Sequence, residues 1–597
     1  MKTLQKLFFI LTPNERKSAS ILLLMIFVMA FLDMLGVASI MPFMTVLTNP
    51  QIIENNYLLN EVFFISKKFG INDKQQFVFF LGILVFIMLI LSIAFKALTL
   101  YAQIRFSAMR EYSIGKRLVE GFLNQPYSWF LNRHSADLGK TILSEVSLII
   151  SHGLKPIMNL ITYSSIAVML IILLILVDPK LSLIVGFALG SAYGIIYKLS
   201  RSFLKRIGTE RMQANQERFT NITEAFGAIK EIKVGGLEKI FTERFSKPSK
   251  LSAKHASSAQ LVSNLPKFFL EAVAFGGMVL MVLYLIYRNA VFLDVLPIIS
   301  LYAFAGYRLM PSIQQIYVSI SQLRYIGSSL DSLYEDLKII SPANFDKNTK
   351  ALSFKQNISI NNLSFSYPDS NREALKNINL KIPANTTVGI VGSTGSGKTT
   401  LVDVILGLFD AKVGSLQVDD QVININNKRS WQKCIGYVPQ QIFLADDTIE
   451  ANIAFGTKYE NIDMHQIEKV SKIANLYEFI VNELPLKYKT RIGERGIRLS
   501  GGQRQRIGIA RALYQSPKLL ILDEATSALD NLTEQAVMDA VHNIGKKISV
   551  ILVAHRLSTV KKCDTIFLIE KGELKGQGNF EKLISTSKQF RASVSKI

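Results

Sequence analysis

The sequence predicts an α-helical domain of six transmembrane spans followed by an α/β domain of the phosphate-loop NTPase class. Three observations predict it. Residues 1–335 are rich in apolar runs long enough to cross a hydrocarbon core, which takes about 20 residues. Residues 354–597 instead alternate short apolar strands with helical patterns, the α/β signature. Within that second half, Gly392-Ser393-Thr394-Gly395-Ser396-Gly397-Lys398-Thr399 fits the pattern GxxxxGK[ST]. It follows the strand-like run Val388 to Val391 and precedes an amphipathic helical pattern from Thr400 to Leu408, the context a phosphate loop requires.

Composition agrees with a membrane half joined to an α/β half. Of the 597 residues 49% are apolar, and the mean hydropathy is +0.27. The formal charge of +22 does not point to nucleic acid, because its basic residues flank apolar runs, above all between Lys198 and Lys254. That is the positive-inside bias of cytoplasmic segments. No basic module interleaved with aromatics is present, so no nucleic-acid partner is expected. Cys434 and Cys563 are the only cysteines and form no CxxC, which reads as two reduced thiols. The six histidines form no cluster with metal-ligand spacing. No secretory cleavage signal is visible, and Lys2, Lys6, Arg16 and Lys17 should hold the N-terminus inside.

The spans fall near 20–47, 77–104, 157–177, 181–197, 264–287 and 291–312. Asp178-Pro179-Lys180 and Arg288-Asn289-Ala290 are tight outer turns, so 105–156 and 198–263 lie inside, where most lysine and arginine is found. Those two segments have helical periodicity and no flexible stretch, so they read as membrane helices continuing into the cytoplasm. Pro126 to Phe130 and Asn221 to Val234 mark their middles. In the first outer loop Leu58, Val62, Ile65 and Phe69 form a helical apolar stripe beside Lys67 and Lys68, either interfacial or packed on the protein. Charges inside spans are expensive. Asp33, Lys96, Lys267, Glu271 and Arg308 therefore have two readings, internal ion pairs such as Lys267 with Glu271, or a cationic cavity for an anionic headgroup.

The boundary falls at 336–353, where Ser341 to Lys350 is polar and turn-rich. Beyond it each motif has chemistry to perform. Gly392, Gly395 and Gly397 let backbone N–H groups wrap phosphates at a helix N-terminus. Lys398 supplies a point charge and Thr399 a hard oxygen for Mg²⁺. Leu519 to Asp523 reads as a buried strand ending in an acid suited to magnesium, and the adjacent Glu524 is placed to polarise an attacking water.

With these, Leu499-Ser500-Gly501-Gly502-Gln503 resembles the signature sequence of ATP-binding cassette (ABC) proteins. Gln440 resembles their Q-loop, Ser527 to Asp530 their D-loop, His555 after Ile548 to Val553 their switch histidine, and Tyr367 the aromatic that stacks on adenine. Thr490 to Gly496 resembles the segment by which exporters of this family contact their intracellular loops. The resemblance covers essentially the whole chain. It implies that Ser393, Thr394, Ser396 and Thr400 join the glycines and Lys398 around ATP, and that Thr399, Gln440 and Asp523 hold Mg²⁺. It further implies that Glu524 is the general base and His555 a γ-phosphate contact. Ser500 and Gly502 should reach nucleotide held by a second copy, so the expected assembly is a homodimer.

Within that family the membrane half resembles bacterial flippases of lipid-linked oligosaccharides of the PglK type. Leu7 to Leu11, Met41 to Phe43 and Tyr307 to Ser312 carry the similarity. The resemblance implies a polyprenyl-pyrophosphate oligosaccharide as cargo, a bacterial inner membrane, and a basic cavity. Arg308 matches one cavity arginine, Lys96 and Lys267 stand at two further positions as lysines, and Gln315 replaces a fourth. Lysine keeps the charge but not bidentate phosphate geometry. Export of lipid A, a drug or a peptide is the alternative, and an ATP-gated channel or regulatory receptor a more distant one.

Overall fold

The computed structural model describes all residues except 1, 69–70, 72, 178, 270, 273–274, 277–278, 280–282, 284–291, 341–349, 369, 371, 412, 494–495, 525–530, 546, 555, 589 and 592–597. Two compact units form: Met1–Gln125 with Arg133–Ala343, and Pro126–Asn132 with Asn344–Ile597.

The first unit is helical. Helix Pro13–Ala38 starts on a capping box, in which the Glu15 N–H donates to the Thr12 hydroxyl and the Thr12 N–H donates to the Glu15 carboxylate at 2.8 Å. The first expected span is not one helix. It breaks at Ser39 and resumes as Ile40–Thr48. Pro42 explains the break, because it has no N–H for the carbonyl of residue 38 and its ring crowds that turn.

Lys74–Leu123 is one helix of 50 residues, about 75 Å long at 1.5 Å per residue. A hydrocarbon core takes only about 30 Å of that, so the helix extends well beyond the span, as the periodicity requires. Pro179–Gly227 does the same over 49 residues. Among the described residues, Pro13–Thr48, Lys74–Leu123 and Ser135–Val177 are long and apolar enough to cross a membrane. The expected fourth span lies within Pro179–Gly227, and residues 292–312 of the expected sixth lie within Phe292–Tyr325. Much of the fifth, Asp178, and the turn Arg288 to Ala290 lie outside the described residues.

The apolar core of this unit joins Met29, Ala30 and Val37 to Ile166, Leu170 and Leu174, and to Leu301, Ala305 and Leu309. Further along, a buried polar cluster ties three segments together. Arg211 donates to Glu145 at 2.9 Å and to Ser329 at 2.8 Å, while Asn215 donates to the other Glu145 oxygen at 2.9 Å. The outer-loop helix Tyr57–Lys67 packs through Leu59, Phe63 and Ser66 and leaves Val62 and Ile65 exposed. The described part of the predicted stripe is therefore the outward face, and the adjacent stripe makes the contacts.

The second unit holds two sheets. β1 (Asn357–Ser366), β2 (Glu373–Pro383), β4 (Val413–Val418) and β5 (Gln421–Val422) form an antiparallel sheet in the order β2-β1-β4-β5. β3 (Thr387–Val391), β6 (Ile435–Val438), β7 (Leu519–Asp523), β8 (Ser549–Val553), β9 (Thr565–Glu570) and β10 (Glu573–Gly578) form the second, in the order β10-β9-β3-β8-β7-β6. Its members β9 to β6 run parallel, with β10 an antiparallel edge. β3, β7 and β8 are buried along their whole length, which is why each reads as a continuous apolar run without alternation.

Candidate nucleotide site and intramembrane charges

Register brings distant motifs to one sheet edge. Ile390 on β3 pairs with Val553 on β8, and Val553 pairs with Asp523 on β7. The chain leaves β3 into the phosphate loop and leaves β7 through Glu524, so both face out from the same row. Ligands bind at this end of parallel strands.

Two glycines of the loop are dictated by geometry. A Cβ on Gly392 would stand 2.1 Å from the Ile569 carbonyl oxygen. Gly397 has φ 107° and caps the helix Lys398–Ile405, a conformation that costs other residues dearly. Lys398 is buried and donates to the Gly392 oxygen at 2.9 Å and the Ser393 oxygen at 3.1 Å. Burial lowers its pKa, while the nearby Glu524 and Asp523 carboxylates pull it back up.

Asp523 is buried at the end of β7. The Tyr437 hydroxyl bonds to it, and burial followed by that carboxylate pushes the phenol pKa upward. Asp403, on the helix after the loop, is pushed up to about 6 by burial and by Asp523. Glu524 has φ 52°, rare for a residue with a side chain. Its N–H donates to Val553 O at 3.0 Å and its carboxylate accepts from Gln440 Nε2 at 2.7 Å. The Gln440 carbonyl oxygen, the Thr399 hydroxyl and the Asp523 carboxylate are hard oxygens of the kind a cation takes. They fit Mg²⁺, which takes few protein ligands and draws the rest from phosphate and water. Among the described residues no group of three or more His, Cys, Asp or Glu could hold a metal alone.

A cleft of about 300 Å³ follows the loop, lined by Gly395 to Thr400, Tyr367, Arg372, Lys571 and Gly572 among others. The Tyr367 hydroxyl lies 2.8 Å from that of Thr400, and its ring meets Phe365 and Phe409 edge-on. The signature segment is not among the residues that line this cleft. It instead starts the helix Gly501–Tyr514 with a capping box, in which the Gln503 N–H donates to the Ser500 hydroxyl and the Ser500 N–H donates to the Gln503 side chain. Leu499 is buried and Gly501 and Gly502 open the helix, presenting N–H groups at its positive end. Glu494, Asp530 and His555 lie outside the described residues.

Sequence reasoning missed Arg372, Lys571, Gly572, Asp403 and Tyr437. Lys571-Gly572 reads as an ordinary hairpin turn. In the structure the Gly572 N–H donates to Ser396 O at 2.9 Å and so steadies the loop.

In the membrane unit Arg308 pairs with Asp33 at 3.3 Å, and Ser92 donates to the same Asp33 oxygen at 3.2 Å. Lys96 is half-buried one helical turn after Ser92. Lys267 faces Glu271 at 3.7 Å. The structure thus brings Arg308, Asp33 and Ser92 to one place, and gives Lys267 a local partner.

Comparison with known proteins agrees with this architecture. The model of the ABC transporter transmembrane region matches residues 63–311, and the ABC transporter model matches 375–527. The heterocyst differentiation ATP-binding protein HepA of Nostoc sp. is 32% identical over 478 residues, 79% of this chain and 76% of that protein. An ATP-dependent lipid A-core flippase of Cupriavidus pinatubonensis is 28% identical over 486 residues, 79% of this chain and 80% of its own. The solved structure of a bacterial Atm1-family ABC exporter with ATP bound superposes with a TM-score of 0.79 at 20% identity, over 97% of this chain and 99% of that one. The chain belongs to the ABC transporter family. It is an ATP-driven transporter, an ATPase whose hydrolysis is coupled to transport across a membrane.

Proposed function

We propose that this chain is one half of a homodimeric exporter that flips a polyprenyl-pyrophosphate-linked oligosaccharide across a bacterial inner membrane. The observation that carries the cargo is Arg308. A guanidinium is kept in the apolar interior of the membrane unit, beside buried Ala305 and Leu309, with a fifth of its side chain still exposed (21%). Arginine matches the oxygens of a pyrophosphate in two-point geometry, and Lys96 is a second cation one helical turn after Ser92. An apolar cavity of about 320 Å³, lined by Ala167, Leu174, Leu309 and Ile313 among others, supports an amphipathic cargo. The likeness to a lipid A-core flippase supports a lipid.

In the cassette, Lys398 and the loop N–H groups bind the phosphates, and Tyr367 holds the base. Magnesium, held by Thr399, Gln440 and Asp523, would neutralise phosphate charge. Glu524 takes the proton of the attacking water. His555 contacts the γ-phosphate, and Ser500 and Gly502 close the site from a second copy. That the signature segment does not line the phosphate cleft supports this arrangement. ATP bridging two copies favours their closed state, and hydrolysis removes the bridge.

The test is reconstitution. Purified protein in liposomes should move a fluorescent polyprenyl-pyrophosphate saccharide in an ATP-dependent way, and Arg308→Ala should impair that movement. Normal ATPase with no flipping, together with transport of another compound, would sink the cargo assignment.

A further inference from the structure

A carboxylate and a guanidinium placed in the interior of a membrane bundle must satisfy each other, because nothing else there will. The unit also holds a pair in which both carboxylate oxygens are used. Glu145 accepts from Arg211 on one oxygen and from Asn215 on the other, and Arg211 also donates to Ser329. Arg211 is only 8% exposed. Both carboxylate oxygens of that cluster have a partner at short range, and the buried atom left without one is on the base, Arg211 Nε.

Asp33 and Arg308 are built differently. Asp33 lies mid-span and is 3% exposed, with Met29 and Val37 one turn to either side in the apolar core. Its Oδ1 takes both contacts, Arg308 Nη1 at 3.3 Å and the Ser92 hydroxyl at 3.2 Å. Its Oδ2 is buried with no hydrogen-bond partner. The pair is long, single-point and under-satisfied. It is also lopsided, since the acid is fully enclosed while the base is partly open. A structural clamp would close both ends; this one leaves the guanidinium reachable and the acid immovable.

From this we infer that Asp33 is the resident counter-ion of a phosphate site at Arg308, setting how firmly an anionic headgroup is held. The inference rests on the anionic-lipid reading above and deepens it. A phosphate entering from the open side offers the two-point acceptor that Asp33 does not provide. It must then share the guanidinium with a fixed negative charge, and like charges at close range in a dry site repel strongly. Asp33 therefore weakens headgroup binding. A transporter gains from this, because a headgroup held by an uncompensated guanidinium in lipid would not leave. Ser92 tempers the effect by sharing the Asp33 oxygen that faces Arg308.

The sign of the effect distinguishes this from a packing role. Binding of undecaprenyl pyrophosphate, and in parallel of phosphatidic acid, is measured by fluorescence on full-length protein in detergent. Asp33→Asn keeps the shape and the Ser92 contact and removes the charge; it should bind undecaprenyl pyrophosphate about tenfold tighter or more. Its lipid turnover at saturation should fall as its apparent KM falls. Ser92→Ala frees Asp33 to hold Arg308 more strongly, so lipid affinity should drop about twofold to tenfold. Equal or weaker lipid binding by Asp33→Asn, or the same direction of change in both variants, overturns the counter-ion role. Wild-type protein that ignores undecaprenyl pyrophosphate, with Asp33→Asn tightening on phosphatidic acid alone, sinks the cargo assignment but keeps the counter-ion. No tightening on either lipid sinks the counter-ion whatever the cargo.

Discussion

Two copies of this chain, each crippled on a different side of the cassette, should repair one another. Lys398→Ala removes a buried ammonium that donates to Gly392 O and Ser393 O. A hydrogen bond to a charged group contributes about 1.5–3 kcal/mol, so a site without it should lose roughly 10- to 150-fold in nucleotide affinity. Gly502→Asp acts on the other side. It stands at the second position of the helix Gly501–Tyr514, whose Ser500 cap it leaves in place. A carboxylate there favours the helix by about 0.3–1 kcal/mol, so the fold should survive while the anion site is filled by the protein itself. Each variant alone then has two ruined sites. In a mixed head-to-tail dimer, one site combines the intact Lys398 of one copy with the intact Gly502 of the other, and the second site carries both lesions. Random assembly makes about half the dimers mixed, which restores about a quarter of the wild-type sites. The assay is radiolabelled ATP retained through rapid gel filtration by dimers purified on two different tags. About one nucleotide per mixed dimer is expected. None retained would refute the head-to-tail site, and full retention by Gly502→Asp alone would remove the signature segment from nucleotide binding.

Glu524→Gln should slow phosphate release by about 10²- to 10⁴-fold, the usual contribution of a positioned base, while ATP remains bound; an unchanged rate would take Glu524 out of that role. Tyr367→Ala should raise the ATP KM by about twofold to tenfold, from a stacking contribution of about 0.5–1.5 kcal/mol. Tyr367→Phe, which loses only the hydroxyl contact with Thr400, should stay near wild type, and equal effects would argue against stacking. Asp403 gives a pH dependence. Its pKa is about 6 in the fold against an ordinary 3.8, so between those values the folded state holds more proton than the unfolded one, and stability falls as pH rises through that window. The shift is worth about 3 kcal/mol at most and about 1–2 after allowing for solvent. Asp403→Asn should flatten the pH dependence of the thermal midpoint of the nucleotide-free protein and raise it above pH 6; no change would show that the group is better solvated than its burial implies.

The fold class was legible because both halves write themselves locally. A span needs only a long apolar run, and Leu519 to Asp523 or Val388 to Val391 needs only a short one between turns. Contiguous motifs were legible for the same reason: strand, loop and helix follow one another at the phosphate loop. What the sequence could not give is pairing across distance. Asp33 and Arg308 are separated by nearly half the chain, and no periodicity relates them. The break at Ser39 was readable from Pro42 but lay inside a run whose hydropathy never falters. In the outer-loop helix two apolar stripes lie side by side, and the sequence shows both without saying that Leu59 and Phe63 are the ones that pack. Pro126 to Phe130 reads in the sequence as the middle of a cytoplasmic helical segment, and Pro126–Asn132 groups with the residues of the second unit. Its Tyr127 ring lies 5.6 Å from Phe409, which neither residue announces.

Many of the described groups assigned to nucleotide already have a partner within the chain. Lys398 holds two loop carbonyls, Gln440 holds Glu524, Ser500 and Gln503 hold each other, and Tyr437 holds Asp523. Within the described phosphate loop only the Ser396 hydroxyl is buried without one. Nucleotide therefore contributes only the difference between its own contacts and those it replaces, since each internal bond must open as a phosphate bond forms. The charges sharpen the point. Asp523 and Glu524 lie near Lys398, and Asp403 near Asp523, so triphosphate alone would meet its own sign beside that ammonium. A divalent cation on Thr399, Gln440 and Asp523 would reverse that balance, which is why the magnesium complex, rather than the free anion, is the species this arrangement of oxygens suits. A site made of exchangeable internal bonds costs little to vacate, and a cycle that must release what it has hydrolysed needs that property as much as it needs affinity.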